Sequence, residues 1–228
     1  AGQKGNDVKR ELSEIQGKIE FQALMVQLFV QRRFQHVLIS TRFYRALFND
    51  GDTKLNLGKD ATDLFLRSTG MPPTVAVLDS LTNEAIRDVR EGIRAFEFLV
   101  EQKELDSASR QLMQAFAIGE FMPDVQTLPR VKKRKIVDYV QKGNRLLSAI
   151  EVKDYGTAET LVKDLTTQAK DFDGTKPQTL IETARRTAGL FLAKARNAAV
   201  SGDKEGFEKS LQQAAEIWPL NPALVEIS

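Results

Sequence analysis

Nucleophilic, acid–base and metal chemistry each need particular side chains, and this chain carries few of them. It has no cysteine, which removes disulfides, thiolate metal sites and cysteine nucleophiles together. Its single histidine, His36, lies in Arg33-Phe34-Gln35-His36-Val37-Leu38, a helical pattern with no nucleophile or orienting group readable beside it. A general base needs both within hydrogen-bond reach, so His36 is read as structural. Asn49-Asp50-Gly51-Asp52 hints at a calcium loop, but Lys54 takes a position that should supply oxygen and no glycine falls at the sixth place. A polar turn is predicted there instead. Asp171-Phe172-Asp173-Gly174 fails the same spacing and reads as a helix end closed by Gly174. There is no glycine-rich phosphate loop, no G-x-S-x-G and no H-E-x-x-H. The prediction is therefore a non-enzyme, with no catalytic residue, no metal ligand and no cofactor.

One concentrated charge run remains, Arg130-Val131-Lys132-Lys133-Arg134-Lys135, leading from Pro129 into a helix with Ile136, Val137, Tyr139 and Val140. Cations at a helix N-terminus oppose the macrodipole by a few tenths of a kcal/mol each. Carboxylates from a neighbouring part of the fold, or an anionic partner, would offset that. Arg130, Lys132, Lys133, Arg134 and Lys135 thus form a candidate patch for an acidic partner. Nucleic acid is disfavoured: the net charge is only +2 and no aromatic side chain interrupts the run for base stacking.

The elements that must position these residues are helical almost throughout. The chain has 228 residues, 42% apolar and 28% charged, enough to bury a core and close to an ordinary globular composition. No apolar run reaches membrane-spanning length; the best, Phe21 to Val30, contains two glutamines. Val8, Leu12, Ile15 and Ile19 form the stripe of an amphipathic helix, with Asn6 or Asp7 as its N-cap. No Gly or Pro occurs from Lys18 to Phe48, and excessive helix length predicts a break near Gln31-Arg32-Arg33. Residues 49–59 read as a loop, with at most a trace of strand at 53–57. Helices are predicted from Asp60 to Thr69, stopped by Gly70, from Pro73 through Leu81, and from an Asn83 cap through Glu101. The expectation is an all-α fold of antiparallel helical hairpins, with an N-terminal helical region over 1–82 and three hairpins over 83–228.

Those hairpins are visible as a repeat. Segments beginning at Lys103, Lys153 and Gly202 align without gaps, each with an acid second: Glu104, Asp154 and Asp203. Apolar residues then recur at Ala108, Ala158 and Phe207, at Leu112, Val162 and Leu211, and at Ala115, Leu165 and Ala214. Those steps of four and three lie on one helix face. Further helices, 84–101, 131–151 and 178–200, precede each segment, and Pro123 to Pro129 and Gly174 to Pro177 mark the breaks. Residues 189–222 resemble a tetratricopeptide repeat. Ala195, the Gly202-Asp203 turn, Phe207, Leu211, Ala214 and the closing Pro219 carry the match. Residues 140–173 and 90–123 match less fully, with Leu146 and Phe96 at the small-residue position and Lys170 and Glu120 where the proline belongs.

The resemblance implies a helical fold that binds a peptide or protein on the face made by the first helix of each hairpin. It would place Arg90, Ile93, Glu97 and Glu101 on that face in the first hairpin, Val140, Leu147 and Ile150 in the second, and Leu192, Arg196 and Ala199 in the third. Ile93, Gly143 and Leu192 stand where a carboxylate-clamping lysine would, so a clamp for a peptide C-terminus is not expected. Arg90, Glu97, Glu101 and Arg196 are the candidate binding residues on this reading. The lone Trp218 is expected to fold back and seal the last hairpin rather than dock a partner. The predicted function is a scaffold binding a protein or peptide, with an electrostatic binder of an acidic partner or nucleic acid acting through 130–135 as the alternative; self-association stays open. Absent cysteine and a first residue other than Met lean towards export, periplasmic or secreted.

Overall fold

The computed structural model describes residues 2–48 and 54–227. The polar turn at Asn49–Asp52, with its hint of calcium binding, lies outside the described residues. Among the described residues there are eleven helices: α1 (Gly2–Val30), α2 (Phe34–Phe48), α3 (Lys59–Thr69), α4 (Val75–Gln102), α5 (Leu105–Gly119), α6 (Pro123–Gln126), α7 (Arg130–Glu151), α8 (Tyr155–Gln168), α9 (Thr175–Ser201), α10 (Lys204–Ile217) and α11 (Pro222–Ile227). The fold is all-α; extended pairing among the described residues is a single antiparallel bridge between Lys54 and Thr74. None of these helices is long and apolar enough to cross a membrane.

The expected break at Gln31-Arg32-Arg33 is made, and it is the first of four like turns among the described residues. Arg32, Lys103, Lys153 and Gly202 each adopt the left-handed conformation, with φ of 58°, 62°, 59° and 77°. Each N–H bonds a carbonyl three residues back, on Phe29, Val100, Ile150 and Ala199. The next residue's N–H reaches five residues back, to Leu28, Leu99, Ala149 and Ala198. This pair of bonds is the Schellman closure, which satisfies carbonyls a helix end would leave bare. It joins α1 to α2, α4 to α5, α7 to α8 and α9 to α10. Five residues after the left-handed position, Val37, Ala108 and Ala158 are fully buried, while Phe207 is half-buried. The periodicity at 103, 153 and 202 is therefore a repeat of turn geometry. The α1–α2 hairpin shares it without a recognisable sequence match, because Arg33 stands where the others carry an acid.

Two helix starts differ from expectation. α4 runs unbroken through residues 82 and 83; Asn83 does not cap it but donates its side-chain amide to the Asp79 carbonyl. The cap is Thr74, whose Oγ1 accepts the Val77 N–H at 3.1 Å, one residue beyond Pro73. At the other end of the chain's first helix, Asn6 and Asp7 lie inside α1.

The chain forms two compact units, Ala1–Ala95 with Gln111–Leu128, and Phe96–Arg110 with Pro129–Ser228. In the first, Met25, Val37, Tyr44, Leu55, Val75 and Leu78 make a closed cluster flanked by Phe21, Phe29, Phe48 and Phe65. Gln22 is buried within it. Its amide donates to the Tyr44 hydroxyl at 2.8 Å, and its oxygen accepts the Asn56 N–H at 2.9 Å. These bonds offset the cost of burying the amide. In the second, α7 packs along α8, α8 along α9 and α9 along α10. Leu146, Ala158, Leu165, Ala188, Leu192 and Ala195 are buried among those helices.

Candidate interaction surface

α7 begins at Arg130 with no acid in its first turn and no side-chain cap. The cationic run is offset from outside the helix. Lys132 Nζ lies 3.0 Å from Glu97 and 3.4 Å from Glu101 on α4. The hydrogen bond to Glu97 leads in raising the Lys132 pKa above its ordinary value. Two predicted partner-binding acids and one predicted anion-binding lysine are thus each other's partners. Lys133 is half-buried, and Arg130, Arg134 and Lys135 are exposed. Arg90, in the first unit, pairs with Asp124 at 3.3 Å. Arg196 is exposed and forms no ion pair among the described residues. Ile93 and Leu192, expected to face a ligand, are buried instead: both sit on the packing faces of their helices.

α7 also leaves apolar side chains open. Ile136, Tyr139 and Leu146 are buried, and the residue after each is an exposed aliphatic: Val137, Val140 and Leu147, the last 66% exposed. One residue is a rotation of about 100° on a helix, so the helix carries a second apolar stripe beside its core stripe. Gly143 lies between Val140 and Leu147, with open space where a Cβ would point. Polar residues normally take such a stripe, since nothing in the fold rewards apolar ones there.

Asp171 has a role the sequence did not suggest. Gly174 does not close a helix, for α8 already ends at Gln168 and Gly174 precedes α9 with φ −82°. The Asp171 carboxylate instead accepts the backbone N–H of Ser107 at 2.7 Å and of Asp106 at 3.2 Å, capping α5 from 64 and 65 residues away. Asp154 and Asp203 cap their own helices through the N–H of Thr157 and Gly206. Glu104, one methylene longer at the equivalent place, is replaced in that task by Asp171. Burial alone would raise the Asp171 carboxyl, yet the Ser107 and Asp106 N–H groups outweigh it and hold it below the usual range. Tyr139 donates to Asp106 at 3.4 Å; burial and then the charges of Asp106 and Asp171 push its phenol well above its ordinary value.

His36 is exposed at a small cavity of about 170 Å³ lined also by Arg32, Arg33, Phe121 and Met122, with the Arg33 guanidinium 4.8 Å over the Phe121 ring. No hydroxyl or carboxylate lines it. Among the described residues no group of three or more His, Asp and Glu is placed to hold a metal ion. Trp218 is buried at 7% exposure, edge-on to Tyr155 of α8 at 6.0 Å, so it packs inside its unit and offers no docking ring.

Comparison with protein-family models, curated proteins and solved structures returned no match to this chain.

Proposed function

We propose that this protein is a non-enzymatic helical-repeat scaffold, similar in kind to tetratricopeptide proteins, that binds a protein or peptide partner on α7. The observation that carries the reading is the second apolar stripe, Val137, Val140 and Leu147, exposed beside a complete core stripe. The shared turns of α4–α5, α7–α8 and α9–α10 support a repeat scaffold. An apolar side chain on a partner gains about 25 cal/mol for each Å² it buries on such a stripe. Exposed Arg130, Arg134 and Lys135 at the start of the same helix favour a partner with acidic residues flanking its apolar anchors. Protein captured by the wild-type chain from its native source should be lost with Val140→Glu plus Leu147→Glu, while far-UV helicity is unchanged. Retention by that variant, with loss on reversing Arg130, Arg134 and Lys135, would favour the purely electrostatic alternative.

A further inference from the structure

Among the described residues, an apolar stripe with no helix packed on it lies on α1. Residues 6–17 are all exposed, and burial in this helix starts only at Lys18 and Phe21, where α2 packs along it. α1 has 29 residues and α2 only 15, so the N-terminal half of α1 outruns its partner. That half carries Val8, Leu12, Ile15 and Ile19, with exposures of 54%, 61%, 55% and 40%. Their spacing of four, three and four is the seam of a coiled coil, with Leu12 and Ile19 at a positions and Val8 and Ile15 at d.

We infer that this seam binds a second copy of the chain as a short antiparallel coiled coil. In an antiparallel pair an a residue meets a d residue. Placing Leu12 against Ile15 of the second copy also places Val8 against Ile19, giving four closed layers over about 16 Å of helix. Each layer joins two β-branched or leucine side chains, and the two-fold axis makes the stripe complementary to itself. The flanking charges select the same orientation. Glu11 precedes Leu12 and Lys18 precedes Ile19, and the antiparallel register sets each beside the other residue of the second copy. The Lys18 ammonium also lies 5.7 Å over the Phe48 ring of α2. A parallel pair in register would set Glu11 against Gln16 and Lys18 against Ala23, with no opposite charges facing. A lipid surface suits this helix less well, because its polar side mixes Lys9 and Arg10 with Glu11 and Glu14.

Sedimentation equilibrium of the full chain should show a monomer–dimer equilibrium. Ile15→Glu should raise the dimer dissociation constant at least about tenfold, with helicity and Trp218 emission unchanged. The chain has no cysteine of its own, so engineered thiols report the register directly. Val8→Cys mixed with Ile19→Cys should cross-link under mild oxidation, and neither variant should link to itself. A chain that stays monomeric at every concentration overturns the inference. So does self-linking of Val8→Cys alone, which would mean a parallel pair, and so does an Ile15→Glu variant that dimerises as wild type does. Binding of phosphatidylserine vesicles by a chain otherwise monomeric would assign the stripe to a membrane instead.

Discussion

Trp218 shows how far a single side chain's surroundings decide its role. Its ring is buried edge-on to Tyr155, and its indole N–H finds no acceptor among the described residues. Trp218→Ala should cost about 3–5 kcal/mol in chemical denaturation, as removal of a buried aromatic does. Trp218→Phe keeps the ring contact and discards the unsatisfied donor, so its cost should stay within about 1 kcal/mol. Equal losses in the two variants would mean that the indole nitrogen is bonded after all. Asp171 gives a pH prediction. Its carboxyl is held below the usual range in the fold, so its contribution is complete above the unfolded value of about 3.9 and fades as pH falls through the lower folded value. Asp171→Ala should cost about 1–2 kcal/mol at neutral pH, in line with other helix caps, and nothing in strong acid. Stability curves of the two proteins against pH should therefore converge on the acid side.

At the scale of the element, three of the four turns carry a built-in cost. Arg32, Lys103 and Lys153 hold positive φ with a Cβ present, which only Gly202 does without strain. Lys103→Gly should stabilise the chain by up to about 1 kcal/mol in a melting experiment, since the Lys103 side chain is exposed and makes no hydrogen bond or ion pair among the described residues. The close approach of α4 and α5 predicts the opposite sign at Gly119. A Cβ there would stand 2.7 Å from Val89 Cγ2 and 3.0 Å from Met122 Sδ. Gly119→Ala should destabilise by about 1–3 kcal/mol, and a rise in melting temperature would mean that the two helices separate freely. α9, the other long helix of α7's unit, buries Ile181, Ala184, Ala188, Leu192 and Ala195 and leaves Leu180, Leu190 and Val200 exposed at scattered positions, whereas α7 sets an exposed aliphatic directly after each of Ile136, Tyr139 and Leu146.

At the scale of the whole molecule, charge is balanced and locally paired. The net charge is +2, and the one cationic run has its Lys132 neutralised by Glu97 and Glu101. A partner held on Val137, Val140 and Leu147 should therefore respond weakly to salt. Its affinity should change less than about tenfold between 50 and 200 mM, against a thousandfold or more for a ligand held by six or more phosphate contacts. A steep salt slope would move the binding site from the apolar stripe to Arg130, Arg134 and Lys135.

The sequence by itself determined the all-α fold, the break at Gln31-Arg32-Arg33 and the turns at 103, 153 and 202, because helix periodicity, caps and turns are local. The acids at Asp154 and Asp203 cap the helices they precede, within three residues in the chain. It also held the pattern of the α1 stripe, but an amphipathic spacing does not say whether a partner lies against it. Only the tertiary structure decided that α2 covers α1 from Lys18 onward and leaves Val8 to Ile15 bare. Tertiary structure also paired Lys132 with Glu97 and Glu101, buried Ile93 and Leu192, and brought Asp171 across 64 residues to the start of α5. Each of these depends on which helix faces lie against one another, a matter of packing between distant segments that no spacing within one segment records.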